Sequence, residues 1–267
     1  MGTPRQRANR RRGRRSRLPV VLVVTLGVLG IAALATAVLL LMEGRAATAA
    51  DPAPRAASNS EAPGPAPSQT AEAEEPAITP ISELVDPAWV EHMAAAADIP
   101  DRALKAYVGA AIEASEAHPD CGIGWNTLAA IGLVETGHGS IHGAKLAADG
   151  TVSPTIVGIP LDGNGTIPVS DTDGGALDGD TQWDRAVGPM QFIPSTWEIA
   201  AQDGNRDGVT DINQIDDAAL AAAMHLCEVG GDLTQPENWI AAVSAYNPSL
   251  DYNHRVADAA NHYATLE

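Results

Sequence analysis

Phenylalanine occurs once in these 267 residues and tyrosine four times. Large apolar packing must therefore come in good part from Trp89, Trp125, Trp183, Trp197 and Trp239, unless these line a groove. Basic residues are scarce after position 80: residues 81–267 hold 6 Lys and Arg against 28 Asp and Glu, a formal balance of −22. Such a surface repels a phosphate backbone, so nucleic acid is excluded as a partner. No run alternates convincingly between apolar and polar residues, and no internal repeat is visible. The fold class expected is mainly α.

What is present begins with charge. Residues 1–17 carry eight arginines and no acid, and the 24 positions from Pro19 to Met42 contain no charge at all. As a helix that run is about 36 Å long, enough to cross a bilayer with some tilt. The arginines then stay in the cytoplasm, and the rest of the chain lies outside. A cleavable signal would have a shorter apolar region of roughly 7 to 15 residues. Although Ala47-Thr-Ala49 offers a cleavage site, an uncleaved single-pass anchor over 18–43 is expected. Residues 44–80, rich in Ala, Pro, Ser and Glu, cannot bury a core and read as an extended tether. Residues 81–267 suffice for one domain.

In that domain Leu104, Tyr107, Val108, Ala111 and Ile112 recur at helical spacing, which predicts an amphipathic helix over Asp101 to Ala117. A more apolar and central helix is predicted over Trp125 to Thr136. Further helices are expected at Pro194 to Ala201, Asp216 to Cys227, Pro236 to Ala245 and Leu250 to Tyr263. Between them, Ser140 to Asp184 is an irregular Gly/Asp-rich insertion. A short hairpin is expected around Ile156 to Ile167, turning at Asp162-Gly-Asn-Gly165. Cys121 and Cys227 face an oxidising compartment, which allows a disulfide. Closing that loop of 106 positions would stabilise the fold by up to about 4.7 kcal/mol in the chain-entropy model. Two buried free thiols are the alternative.

Glu135 closes the apolar run Leu128-Ala-Ala-Ile-Gly-Leu-Val134 and is followed by Thr136, Gly137, His138 and Gly139. Burial and the negative end of the helix both disfavour its ionisation. An acid that stays protonated near neutral pH can protonate the leaving oxygen of a glycosidic bond. Downstream lies Arg185-Ala-Val-Gly-Pro-Met-Gln-Phe-Ile-Pro-Ser-Thr-Trp197, and then Ala245-Tyr-Asn247. With Val134-Glu-Thr136, these segments make the chain resemble the lytic murein transglycosylases of the membrane-bound B type, in their actinobacterial form. This is the SLT domain 2 group, glycoside hydrolase family 103.

The resemblance implies a lysozyme-like helical domain that cleaves the MurNAc-GlcNAc β-1,4 bond of peptidoglycan without an organic cofactor. Glu135 would be the sole acid and base. Gln191 would hydrogen-bond the sugar's N-acetyl group or the catalytic region. Met190 and Phe192 would line the groove, although both also suit a core. Tyr246 and Asn247 would stand opposite the acid. A hydrolase would need a second carboxylate, for which Asp171, Asp173, Asp178, Asp180 and Asp184 are available. The alternatives are thus a hydrolytic muramidase and a non-catalytic wall-binding module.

Asp203-Gly-Asn-Arg-Asp-Gly-Val-Thr-Asp211 has oxygen ligands at loop positions 1, 3 and 5 followed by a turn glycine, as in an EF-hand. Asp203, Asn205, Asp207 and the Val209 carbonyl are the candidate ligands of a structural Ca²⁺. Position 12 is Gln214 in place of the usual Glu. The resembled family has a longer loop, in which Asp217 would be the closing carboxylate. A solvated Asp/Gly turn is the other reading, and it is the expected one for the run Asp171 to Asp180. His138 and His142 lack a third metal ligand and are expected to be groove or loop residues.

Overall fold

The computed structural model describes residues 79–266. The basic segment 1–17, the anchor 18–43 and all of the linker up to residue 78 lie outside the described residues. The chain divides into two units, 1–70 and 71–267, and only the second is described below. Among the described residues no helix is long and apolar enough to cross a membrane.

The domain is mainly α. A 3₁₀ turn at Ile81–Glu83 precedes α1 (Pro87–Ala97), α2 (Asp101–Ala117), α3 (Trp125–Thr136), α4 (Pro194–Ala200), α5 (Ile215–Gly230), α6 (Pro236–Tyr246) and α7 (Leu250–Ala264). The α2 and α3 spans coincide with those predicted. Helix α1 was not foreseen, although its start signal is strong: the Asp86 carboxylate accepts the Ala88 N–H at 2.8 Å and Pro87 occupies the first helical position.

Helix α3 is the centre of the fold. Trp125, Thr127, Leu128, Ala129, Ala130, Ile131 and Gly132 are all buried, with α7 packed along one side and α2 on another. Enclosing Leu128 and Ile131 contributes about 2 to 3 kcal/mol each. Close approach demands small residues: a Cβ on Gly132 would collide with the Tyr107 hydroxyl of α2. Helix α2 in turn packs most extensively on α5, and a disulfide joins Cys121, just after α2, to Cys227 in α5.

The insertion forms two small antiparallel pairs. β1 (Lys145–Leu146) pairs with β2 (Val152–Ser153), and β3 (Val157–Pro160) pairs with β4 (Arg185–Val187). The expected hairpin over Ile156 to Ile167 is therefore wrong in its partner. Residues 162–165 do turn, with Asn164 N–H donating to Asp162 at 2.8 Å, but the returning segment bonds back just past β3, where the Leu161 carbonyl accepts the Val169 N–H. Ile159 and Ile167 are both exposed and give such a hairpin no face to bury, whereas β4 brings the buried Val187. The first pair is tied to the helices by Arg102. Its guanidinium bonds both oxygens of the buried Asp216, at 2.7 and 2.6 Å, and donates to the carbonyls of Ala148 and Asp149.

Candidate active site

Glu135 is the last residue but one of α3. Gly137 then takes the left-handed conformation (φ 55°), and the N–H groups of Gly137 and His138 return to the carbonyls of Leu133 and Gly132. This C-terminal cap halts the helix with the acid on its final turn. The carboxyl is half-buried, and burial pushes its pKa up to about 7. Two groups of α7 oppose that rise, the Tyr252 hydroxyl and the exposed Arg255. Tyr252 is 7% exposed, and its enclosed hydroxyl closes no hydrogen bond of ordinary length. Glu135 is the group it acts on, across a longer gap.

The acid is held against the loop that precedes α4. The buried Thr136 hydroxyl donates to the Pro189 carbonyl at 2.7 Å and accepts from the Gly139 N–H at 2.8 Å. From α6 the Tyr246 hydroxyl donates to the Met190 carbonyl at 2.7 Å, and this tyrosine is also electrostatically coupled to Glu135. Its ring meets Phe192 edge-on at 5.8 Å. Gln191 sits at φ 51°, and its side-chain amide N–H groups go to the carbonyls of Gly188 (2.9 Å) and Ile156 (3.4 Å). Gln191, Phe192, Ile193, Thr196, His225, Ala245 and Tyr246 surround a cavity of about 120 Å³.

Met190, Phe192 and Asn247 sit as follows. Met190 is wholly enclosed, so its side chain is core and only its carbonyl serves the site. Phe192, 3% exposed, offers no more than an edge to the cavity. Asn247 caps the end of α6: its side chain accepts the Ser249 N–H and its carbonyl accepts from Asn253. His138, expected in a groove or loop, is core. Its ring lies between the Tyr107 hydroxyl (3.2 Å) and the Tyr263 hydroxyl (3.5 Å), and burial lowers its pKa to about 4. His142 is exposed.

The insertion's aspartates are bonded within their own loops. Asp171, Asp173 and Asp184 come together with oxygens within 4.8 Å of one another, as one cation-sized cluster. Their oxygens accept loop N–H groups and the Thr172 hydroxyl, while Asp178 and Asp180 are bonded to Arg185. None is among the groups that set the Glu135 titration.

The 203–217 loop fits a cation in its first half. Asp203 accepts the N–H groups of Asp207 and Gly208, the latter a turn glycine at φ 87°, as an EF-hand's first ligand does. The second half is bonded within the chain. Gln214 is turned to the Asp149 carbonyl and the Asp216 N–H. Asp217 is fully buried and accepts the N–H groups of Gly204, Asn205 and Asp211 at 2.8 to 3.1 Å. Burial and the neighbouring Asp203 push its carboxyl up to about 6. Asp217 thus ties both ends of the loop together through backbone N–H groups.

Sequence reading missed Tyr252, Arg255, His225 and the role of Thr136. Tyr252 had a signal, since Tyr252, Val256, Ala260 and Tyr263 form one buried stripe of α7.

Fold and site together define a mainly α domain that presents one protonatable carboxyl, flanked by two tyrosines, beside a small cavity of mixed polar and apolar lining. The family described as Transglycosylase SLT domain matches residues 172–265. That span holds Gln191, Tyr246, Asn247 and Tyr252 and begins after Glu135. The match supports a relationship to the peptidoglycan lytic transglycosylases. No curated protein and no solved structure matches the chain.

Proposed function

We propose that this chain is a membrane-anchored lytic transglycosylase of the membrane-bound B type. Its lysozyme-like domain would lie outside the cell membrane and cut the MurNAc-GlcNAc bond of glycan strands. The observation that carries the reading is Glu135 itself, whose pKa of about 7 is set by burial with no second carboxylate acting on it. Protonated, Glu135 gives its proton to the glycosidic oxygen as the C1–O bond breaks. Ionised, it takes the proton of the muramic acid's own 6-hydroxyl as that oxygen bonds to C1, leaving a 1,6-anhydro end. One carboxyl thus completes a cycle that a hydrolase divides between two. Tyr246, its hydroxyl fixed on Met190, and Gln191 border the strand.

Digestion of purified peptidoglycan tests this. Soluble fragments one water lighter than hydrolysed ends are expected, and Glu135→Gln should release none. Fragments with free reducing ends would point to a hydrolase, and release of nothing by the wild type would leave only a wall-binding module. The reading includes a structural Ca²⁺ at Asp203, Asn205, Asp207 and the Val209 carbonyl. Heat of Ca²⁺ binding should vanish in Asp207→Ala, and equal heat in both proteins would remove the ion from the proposal.

A further inference from the structure

We propose that a second cavity, at the far end of α3 from Glu135, binds one uncharged sugar ring of a glycan strand, so that the domain holds the strand at two places. The choice of a glycan rests on the function proposed above, while the cavity itself is separate from the site of cleavage.

The cavity, about 330 Å³ in volume, lies where α6 and α7 meet the first turn of α3. Helices α3 and α7 run antiparallel: Tyr252 faces Glu135 at one end, and the Tyr263 ring meets Trp125 at 5.9 Å at the other. Asn126, in the cavity wall, precedes Glu135 by nine residues, about 13.5 Å along the helix. No residue that lines this cavity also lines the one beside Tyr246.

None of the nine residues in its wall is ionisable, in a domain where acids abound. Trp239 is fixed by its indole N–H, which donates to the Thr127 hydroxyl at 3.0 Å. With Leu233, Pro236 and the exposed Ile240 it makes an apolar side. Three polar groups of the same wall keep bonding capacity. The Thr127 hydroxyl accepts from Trp239, and its own proton has no acceptor among the described residues. Thr127 is 5% exposed, and polar groups so enclosed are ordinarily satisfied. The Asn126 amide donates to the Ala260 carbonyl at 3.1 Å, which leaves its side-chain carbonyl to offer. The Asn261 side chain bonds to no described residue.

A sugar ring answers this pattern, because its C–H face covers an apolar side while its hydroxyls both donate and accept. An alkyl chain would leave the amides unpaired, and a charged ligand would find no counter-ion. The muramic acid unit carries a lactyl group that ends in a carboxylate or a peptide, so of the two alternating sugars the cavity suits the one without it. Its volume falls in the range of small-molecule sites. A second hold raises the effective concentration of the strand at Glu135 and keeps the domain on the wall after each cut.

The test uses the full chain carrying Glu135→Gln, with nitrogen-15 in its five tryptophan indoles, the Trp239 signal being identified by its loss in Trp239→Phe. On titration with the β-1,4 tetramer of N-acetylglucosamine the Trp239 signal should shift and saturate. Trp197, whose ring meets Phe192 at 5.4 Å beside the other cavity, reports on the cleavage side. Asn261→Ala should weaken the Trp239 response about three- to tenfold, the worth of one hydrogen bond, and leave the Trp197 response unchanged. Ala257→Leu, which fills the cavity, should abolish the first response and spare the second. N-acetyl-tetra-alanine amide, an uncharged peptide, should not move the Trp239 signal. A Trp239 signal that stays in place with the sugar, equal weakening of both responses in the variants, or a peptide response equal to the sugar's would overturn the proposal. A lack of peptidoglycan cleavage by the wild type, with the Trp239 response intact, would count against the proposed function alone.

Discussion

Replacing Glu135 by Gln should stabilise the domain at pH 8 and leave it nearly unchanged at pH 4. In the unfolded chain this carboxyl titrates near 4.5, and in the fold at about 7. Below pH 4.5 both states hold the proton and burial costs nothing extra. Between 4.5 and 7 the unfolded chain releases its proton first, so stability falls as pH rises, and above 7 the whole cost is present. At about 1.4 kcal/mol per pH unit the full cost is about 3.5 kcal/mol, and partial exposure of the side chain trims it to about 2. Gln has the same shape and no charge, so it escapes the cost. The measurement is urea unfolding of wild type and variant from pH 4 to pH 8. All five tryptophans lie in residues 79–266, so their fluorescence follows this domain. The stability difference should grow with pH and level off above 7. A difference that stays flat would mean that Glu135 ionises freely in the fold, and the case for it as an acid would go with it.

The same titration sets the rate: cleavage should decline as pH rises through about 7, and a rate that holds to pH 9 would contradict it. His138, lowered to about 4, acts in the opposite sense, because the unfolded chain takes up its proton first as pH falls from about 6.5 to 4. Chemical unfolding of His138→Asn should therefore show its largest stability loss near pH 7 and a smaller one at pH 4. Thr136→Val leaves the Pro189 carbonyl and Gly139 N–H unpaired and should lower stability by about 1 to 3 kcal/mol, together with activity; a thermal melt equal to wild type would refute the tie. Reduction of the Cys121–Cys227 bridge should cost about 2 to 5 kcal/mol in denaturant, and an unchanged midpoint would show that the bridge constrains little.

The helices were legible because their signals are local. Asp101 after Pro100, and Gly137 after Thr136, mark ends that the chain needs no partner to define. Glu135 was legible for the same reason, since an apolar run ending in one acid and a glycine states both its place and its electrostatics. The site's second wall was not. Tyr252 and Arg255 meet the acid only because α7 lies along α3, a contact between residues more than a hundred positions apart. The hairpin error has the same origin: the turn at 162–165 is local, but the strand partner of β3 is chosen by where β4 is buried. Met190 was ambiguous on composition, and burial decided it.

The acidic loops give the domain's charge a different meaning. Asp149, Asp162, Asp171, Asp173, Asp178, Asp180, Asp184, Asp203, Asp207, Asp211, Asp217 and Asp232 each accept at least one backbone N–H in or beside an irregular segment. In a helix or a sheet those donors would be satisfied by carbonyls of the same ladder. Here the side chains stand in for the missing ladder, as though each turn carried its own built-in anion. Order in these stretches rests on carboxylate oxygens alongside a small apolar cluster of Ala144, Val152 and Ile156, so the aspartates supply what so few apolar residues could not. Much of the negative charge is thus an internal scaffold, with the surface field as its by-product.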